Sequence, residues 1–330
     1  MALRLGKELL YLCGAEVAHV GPSMEESLAA IREAFRQKGL GVAQQPPKTA
    51  LHPVNEDAFL HAMPAYVPEF GAAGVKWVSG YPDNPPMHGL PYISGLLVLS
   101  DVYTGMPIAV MDCAWITAQR TGAVSGLAAQ ALAAPASVTA GLLGAGVQAR
   151  TQLLALATAI PTLRSARVYD VAANAANRFV KDMGAVLPQF SLQIVDSAEA
   201  AVRDADIVVT AGPIRKEPQP LVRREWLKPG ALGLPIDFDS MWTRSALGAG
   251  RYYVDDLEQY RYYEAQGYFR ESPQPVGDLG DLSTGRVEGR QSADEVIVAM
   301  NLGVAIADMA MAAIVYQRAL AAGTGTVLPL

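Results

Sequence analysis

The stretch Ser137–Ala159, SVTAGLLGAGVQARTQLLALATA, decides the fold. An apolar run ends in two glycines, Gly144 and Gly146, and a second apolar run follows with no turn residues between. This reads as a buried strand ending at Leu143, a tight turn at Gly144 and a helix beginning near Val147. Gly146 has no Cβ, so an anionic group can approach the main chain closely, and Ala149 supplies the small residue that helix-on-strand packing requires. A helix starting there points unsatisfied N–H groups and its positive dipole end at that anion.

Downstream the alternation repeats: ARVYD then AANAANRFVKDMG, LQIV then SAEAAVRDA, then DIVVTAG, GALGLPID and RYYVDD. Short apolar strands alternating with helices predict a parallel sheet covered on both faces, with right-handed crossovers. Asp170 closes the second strand about two dozen residues after the turn, where such folds place the acceptor for a ribose 2′-hydroxyl. G-x-G-x-x-A alone is a weak signal. Strand, helix and carboxylate together make a dinucleotide site the expectation, formed by Gly144, Ala145, Gly146, Val147, Gln148 and Asp170, with Thr121, Thr210 and Ala211. Val171 and Ala172 follow Asp170, so no adjacent cation offsets its repulsion of a 2′-phosphate. NAD is therefore expected over NADP.

Composition narrows the classes further. Hydrophobic residues make up 51% of the 330 and charged residues 18%, ample for a packed core. A net charge of −6, without a basic cluster, argues against a nucleic-acid partner. Two cysteines, Cys13 and Cys113, suit a reducing compartment, and the four histidines lack metal-ligand spacing, so no metal is expected. Lys7 and Glu8 interrupt the N-terminal apolar run, against a signal peptide, and a cytoplasmic location is expected. Thr121–Ala149 carries no charge, yet Pro135 and five glycines make it a helix, turn and strand rather than a membrane span.

Outside the alternating region the pattern differs. Leu28, Ile31 and Phe35 share one face of a helix in Glu25–Gly41, whereas Val42–Met63 reads as irregular. GVKWVSGY, GLLVLSD and GMPIAVMD read as antiparallel strands, with DVYTG as a hairpin connection. Ser292 and Glu295 have capping-box spacing ahead of a long apolar helix, which needs a buried setting. The expected fold class is α/β: a Rossmann-type nucleotide domain over 126–291 and a discontinuous α+β domain over 1–125 with 292–330. Asp308, inside that helix, is either a buried hydrogen-bonded group or part of an active site, with structure favoured.

GVKWVSGYPDNP, the run from GLPYISG to WITAQRTGAVSGLAA, GLLGAGVQA, ADIVVTA and ADEVIVAMNLGVAIADMA together resemble the ornithine cyclodeaminase and mu-crystallin family. The resemblance spans nearly the whole chain. It implies a homodimer built through the first domain, which also binds substrate, and it implies redox chemistry on amino or imino acids. Three cations hold the substrate α-carboxylate in that family; motif by motif they fall on Lys76, Arg120 and Lys48, the last more often Arg. Lys76 also counts among the catalytic candidates. The acid–base aspartate falls on Asp239, with Asp237 as the second choice. The ornithine-specific neighbourhood is replaced here by PIDFDSMW, whose Phe238, Met241 and Trp242 suggest an apolar pocket.

The expected activity is NAD(P)-dependent hydride transfer at the α-carbon of an L-amino acid or of a cyclic imine or ketimine carboxylate. The alternatives are ornithine cyclodeamination to proline and ammonia, and a non-catalytic dimer that binds nucleotide and ligand.

Overall fold

The structure, a computed structural model, describes residue 1 and residues 3–330. The chain divides into two compact units, Met1–Arg120 with Val304–Leu330, and Thr121–Gly303.

The first unit contains β1 (Glu8–Leu12), α1 (Gly14–Val20), α2 (Met24–Gly39), β2 (Thr49–Leu51), β3 (Phe59–Val67), β4 (Ala72–Gly80), β5 (Ile93–Ser100) and β6 (Pro107–Asp112). From the chain's end come α10 (Ala305–Ala322) and β15 (Thr326–Pro329), and α3 (Ala114–Leu132) carries the boundary at residue 120. Among the described residues the strands form one seven-stranded sheet, ordered β15-β1-β6-β5-β4-β3-β2. Its pairs are antiparallel except β1 with β6.

Period-two alternation sorts this sheet into two faces. Met63, Lys76, Leu97, Met111 and Leu12 are successive cross-strand partners, all buried. One residue along, Pro64, Val75, Val98, Val110 and Tyr11 form the matching row on the opposite face, each only partly covered. The buried face packs on α10, which also meets α2 through a stripe that includes the buried Leu28, Ile31 and Phe35. α10 has the length and composition of a membrane span, yet eleven of its residues are buried.

The sequence reading of Val42–Met63 as irregular is corrected, because β2 and the first five residues of β3 lie there. Pro64 hides β3 from a propensity argument. Tyr66 N–H donates to Gln44, so the N of position 64 faces the same edge, beyond the end of β2, where the missing donor costs no ladder bond.

The second unit contains β7 (Thr139–Leu143), α4 (Val147–Ala159), β8 (Ser165–Tyr169), α5 (Ala173–Val186), β9 (Ser191–Ile194), α6 (Ala198–Val202) and β10 (Ile207–Thr210). It continues with β11 (Leu232–Pro235), α7 (Arg244–Leu247), β12 (Arg251–Val254), α8 (Leu257–Ala265), β13 (Gly277–Asp278), α9 (Leu279–Thr284) and β14 (Ile297–Met300). Its eight strands form a parallel sheet in the order β13-β12-β14-β11-β10-β7-β8-β9. Chain order reverses at β7, which lies between β8 and β10. The crevice beyond the carboxyl ends at such a switch point is where open parallel sheets take ligands.

The long helix read from Ser292 onward is also corrected. Ile297–Met300 is a fully buried strand pairing with β11 and β12, and the helix begins only at Ala305. Residues 292–303 thus belong with the second unit. A short, wholly apolar run buried on both faces carries no period by which to separate strand from helix.

Candidate active site

The opening stretch folds as read: β7 ends at Leu143 and α4 starts at Val147. Gly144 has φ +105°, and a Cβ there would lie 2.8 Å from the carbonyl oxygen of Ala211. The backbone itself demands this glycine. Gly146 is different: its φ is −80°, and a Cβ on it would meet no protein atom within 4 Å. Nothing in the fold calls for a bare backbone there, so the space suits a ligand.

The N-terminus of α4 has no capping side chain and no acidic residue in its first turn, leaving its donors to an anion. Arg150, absent from the sequence reading, donates to the carbonyls of Ala145 (2.6 Å) and Gly146 (3.0 Å) and pairs with Asp182 at 2.9 Å. It braces the turn by holding the carbonyls back. An arginine in the first turn of the helix was the available signal. Asp170 accepts from Ala145 N and Ala172 N, both at 2.8 Å, so its carboxylate is fixed against the glycine turn. Gln148 Oε1 is buried without a hydrogen-bond partner. An open cradle, uncapped donors, an orphaned acceptor and a fixed carboxylate fit a dinucleotide.

At the ends of β10 and β11 the expected Thr210 is already engaged. Its hydroxyl donates to Asp237 Oδ1 at 2.6 Å and accepts from Trp242 Nε1 at 2.9 Å. Ala211 N–H is bound to Leu143 O. Asp237 is fully buried, and Oδ2 accepts from Gly212 N at 3.2 Å. Burial pushes its carboxyl up to about 6, against the downward pull of these hydrogen bonds. Asp239 is also pushed upward, chiefly by burial, and it lines a 410 Å³ cavity with Trp242, Thr243, Tyr268 and Phe269. Phe238 between them has φ +58° and is held edge-on by Tyr263, Tyr268 and Phe269. The two aspartates therefore differ: one braces the strand ends, and the other faces open space.

Lys76 and Arg120 come together in the first unit. Lys76 is 0% exposed on β4, and its Nζ lies 2.7 Å from Asp308 Oδ1 and 3.3 Å from Thr117 Oγ1. Arg120 Nε lies 3.1 Å from the same Asp308 oxygen. Desolvation and the Arg120 charge lower the Lys76 ammonium to about 8, with Asp308 opposing them. Lys48 is buried, and its charge helps hold His61 well below the usual histidine range, after burial itself. Metal-ligand spacing does not mark His61 in the sequence. Its place on the same face of β3 as Met63, the partner of Lys76, was legible from alternation. Two buried cations on one carboxylate can bind a further anion. Among the described residues, no group of three or more His, Cys, Asp or Glu is placed to hold a metal.

The profile of the ornithine cyclodeaminase/mu-crystallin family matches residues 13–323. Over 316 residues the chain is 37% identical to alanine dehydrogenase of Archaeoglobus fulgidus, covering 92% of this chain and 93% of that protein. The structure of Thermococcus litoralis Δ1-pyrroline-2-carboxylate reductase in complex with NADH and L-proline superposes with a TM-score of 0.87 at 30% identity, covering 96% of this chain and 99% of that one. An archaeal alanine dehydrogenase dimer with bound NAD gives 0.85 at 34% identity, covering 97% and 99%.

Proposed function

This chain belongs to the ornithine cyclodeaminase/mu-crystallin family, and we propose that it is an NAD-dependent oxidoreductase acting at the α-carbon of an L-amino acid or of a cyclic imine or ketimine carboxylate. The observation that carries this reading is Gly146, a bare residue that the protein's own packing does not need, at the uncapped start of α4. The similarity to alanine dehydrogenase and to a pyrroline-carboxylate reductase supports the substrate class.

When bound, NAD supplies the hydride acceptor or donor. The residues Gly144 to Gln148 take its phosphates on their main chain. Asp170 accepts from the ribose, and its charge turns away a 2′-phosphate. Thr121, Thr210 and Ala211 complete the site. Lys76, Arg120 and Lys48 hold the α-carboxylate and so fix the face that the α-carbon presents.

Asp239 is the proton-handling group, since it borders a cavity while both oxygens of Asp237 are engaged. Asp237 keeps Thr210 and Gly212 in place. The rings of Trp242, Tyr268 and Phe269 lining the cavity beside Asp239 favour a short or cyclic apolar substrate over ornithine's distal ammonium.

The first unit carries substrate binding and dimerisation. Its open sheet face, with Trp77 42% and Leu96 45% exposed as cross-strand partners, offers an apolar surface to a second copy.

The test follows nicotinamide absorbance with L-alanine, L-proline and L-ornithine plus NAD, and with Δ1-pyrroline-2-carboxylate plus NADH. A change with alanine, proline or the cyclic imine is expected. Ammonia release from ornithine without net absorbance change marks a cyclodeaminase instead. Silence across the panel with tight nucleotide binding marks a binding protein.

A further inference from the structure

We infer that Asp308 is a positioning residue: by holding the Lys76 ammonium and the Arg120 guanidinium on one carboxylate oxygen, it keeps Lys76 protonated and in place for the substrate. The inference rests on the carboxylate-binding role proposed above for Lys76 and Arg120, and extends it to a residue with no place in that chemistry.

The geometry is asymmetric. Lys76 Nζ donates a hydrogen bond to Oδ1 at 2.7 Å, and Arg120 Nε lies 3.1 Å from the same oxygen as a charge contact without a hydrogen bond, while Oδ2 is buried without a hydrogen-bond partner. A carboxylate arranged to satisfy only itself would share its oxygens between its partners. This one draws both cations to a single point. It sits on α10, an otherwise apolar helix with Asp308 in its first turn, packed across β3, β4 and β5. The helix therefore sets the depth at which the two cations are held.

The charges around Lys76 make the dependence sharp. From β4 its ammonium is fully desolvated, which favours the neutral amine. From α3, Arg120 adds a like charge, and Thr117 contributes a neutral hydroxyl oxygen. Cys113, just before α3, has its thiol pushed up to about 11 and is uncharged at neutral pH. From β3, His61 is held neutral, with Lys48 adding positive charge beside it. Among the described residues that act on Lys76, Asp308 is thus the one negative charge. Without it, burial and Arg120 act unopposed and Lys76 sheds its proton.

The test is Asp308→Asn, which keeps the shape and removes the charge. Lysine labelled at Cε and Nζ reports the Lys76 titration by NMR in the full-length protein, with the resonance identified by its loss in Lys76→Met. The wild-type midpoint is expected near 8, and the variant's at least one pH unit lower, a tenfold change in proton affinity. An unchanged midpoint overturns the inference.

Should Asp308→Asn fail to fold, the wild-type protein still decides. The Asp308 carboxyl carbon is expected to show a step at the same midpoint as Lys76, and its absence overturns the inference too. Neither reading needs turnover, so the proposed activity can fail while this inference stands, and the reverse.

Discussion

Asp170 commits both carboxylate oxygens to main-chain donors, one of them within the glycine turn. Its charge therefore sits at a fixed place, and in the function proposed above that fixity discriminates between the two nicotinamide nucleotides. Asp170→Asn keeps an acceptor but drops the charge; we expect the preference for NAD over NADP to shrink by roughly tenfold, on the order of 1.4 kcal/mol, read from kcat/KM with each nucleotide. Asp237 gives a second prediction at this scale. Its folded-state carboxyl is raised to about 6, so the native protein holds a proton that the unfolded chain releases near 3.8. The stability contributed by this group is complete at lower pH and is lost as pH rises through about 6. Asp237→Asn removes that dependence while keeping an acceptor for Thr210. The wild-type advantage over the variant is expected to fall by about 2 kcal/mol between pH 4 and pH 7, measured by urea unfolding at each pH.

The turn between β7 and α4 contains two glycines with different physical reasons. Gly144 is set by a positive φ and by the nearby Ala211 carbonyl, whereas Gly146 is set by neither. Gly144→Ala should lower stability by about 1–2 kcal/mol or more, from left-handed strain with the contact added. Gly146→Ala should leave the melting temperature within a degree or so, its φ being ordinary, yet weaken NADH binding by about tenfold or more because the methyl fills the cradle. Thermal melts and fluorescence titration of NADH separate the two. Equal loss of stability in both variants would show that Gly146 serves the fold after all. α4 and α10 illustrate how far such elements are legible. The glycine turn marks the start of α4 by its chemistry. Val296–Met300 is apolar throughout and the helix after it nearly so, and only pairing with β11 and β12 makes the first of them a strand.

At the scale of the whole molecule, the sheet of the first unit has one face closed by α10 and one face left partly open. The open row from Pro64 through Val75, Val98 and Val110 to Tyr11 crosses five strands without a charged side chain. With Trp77 and Leu96 exposed beside it, this face is an apolar surface of the kind that a partner copy buries. Trp77→Lys is expected to shift the proposed dimer to monomer in sedimentation at micromolar concentration, while leaving NADH binding to the second unit intact. A dimer that persists unchanged would place the contact elsewhere.

By itself the sequence determined the parallel sheet, the glycine turn and the place of Asp170, because strand–helix alternation and a bare turn are local patterns with local causes; Lys76, Arg120 and Lys48 were singled out by the family resemblance. It could not determine that Asp308 takes Lys76 and Arg120 on one oxygen, since those residues are 232 positions apart in one case and meet only through the packing of α10 on β4. Nor could it separate Asp237 from Asp239: they are two residues apart, and the left-handed Phe238 between them turns one toward Thr210 and the other toward a cavity. Local patterns fix elements; which charges share a buried point is decided by packing, where desolvation makes every pairing count.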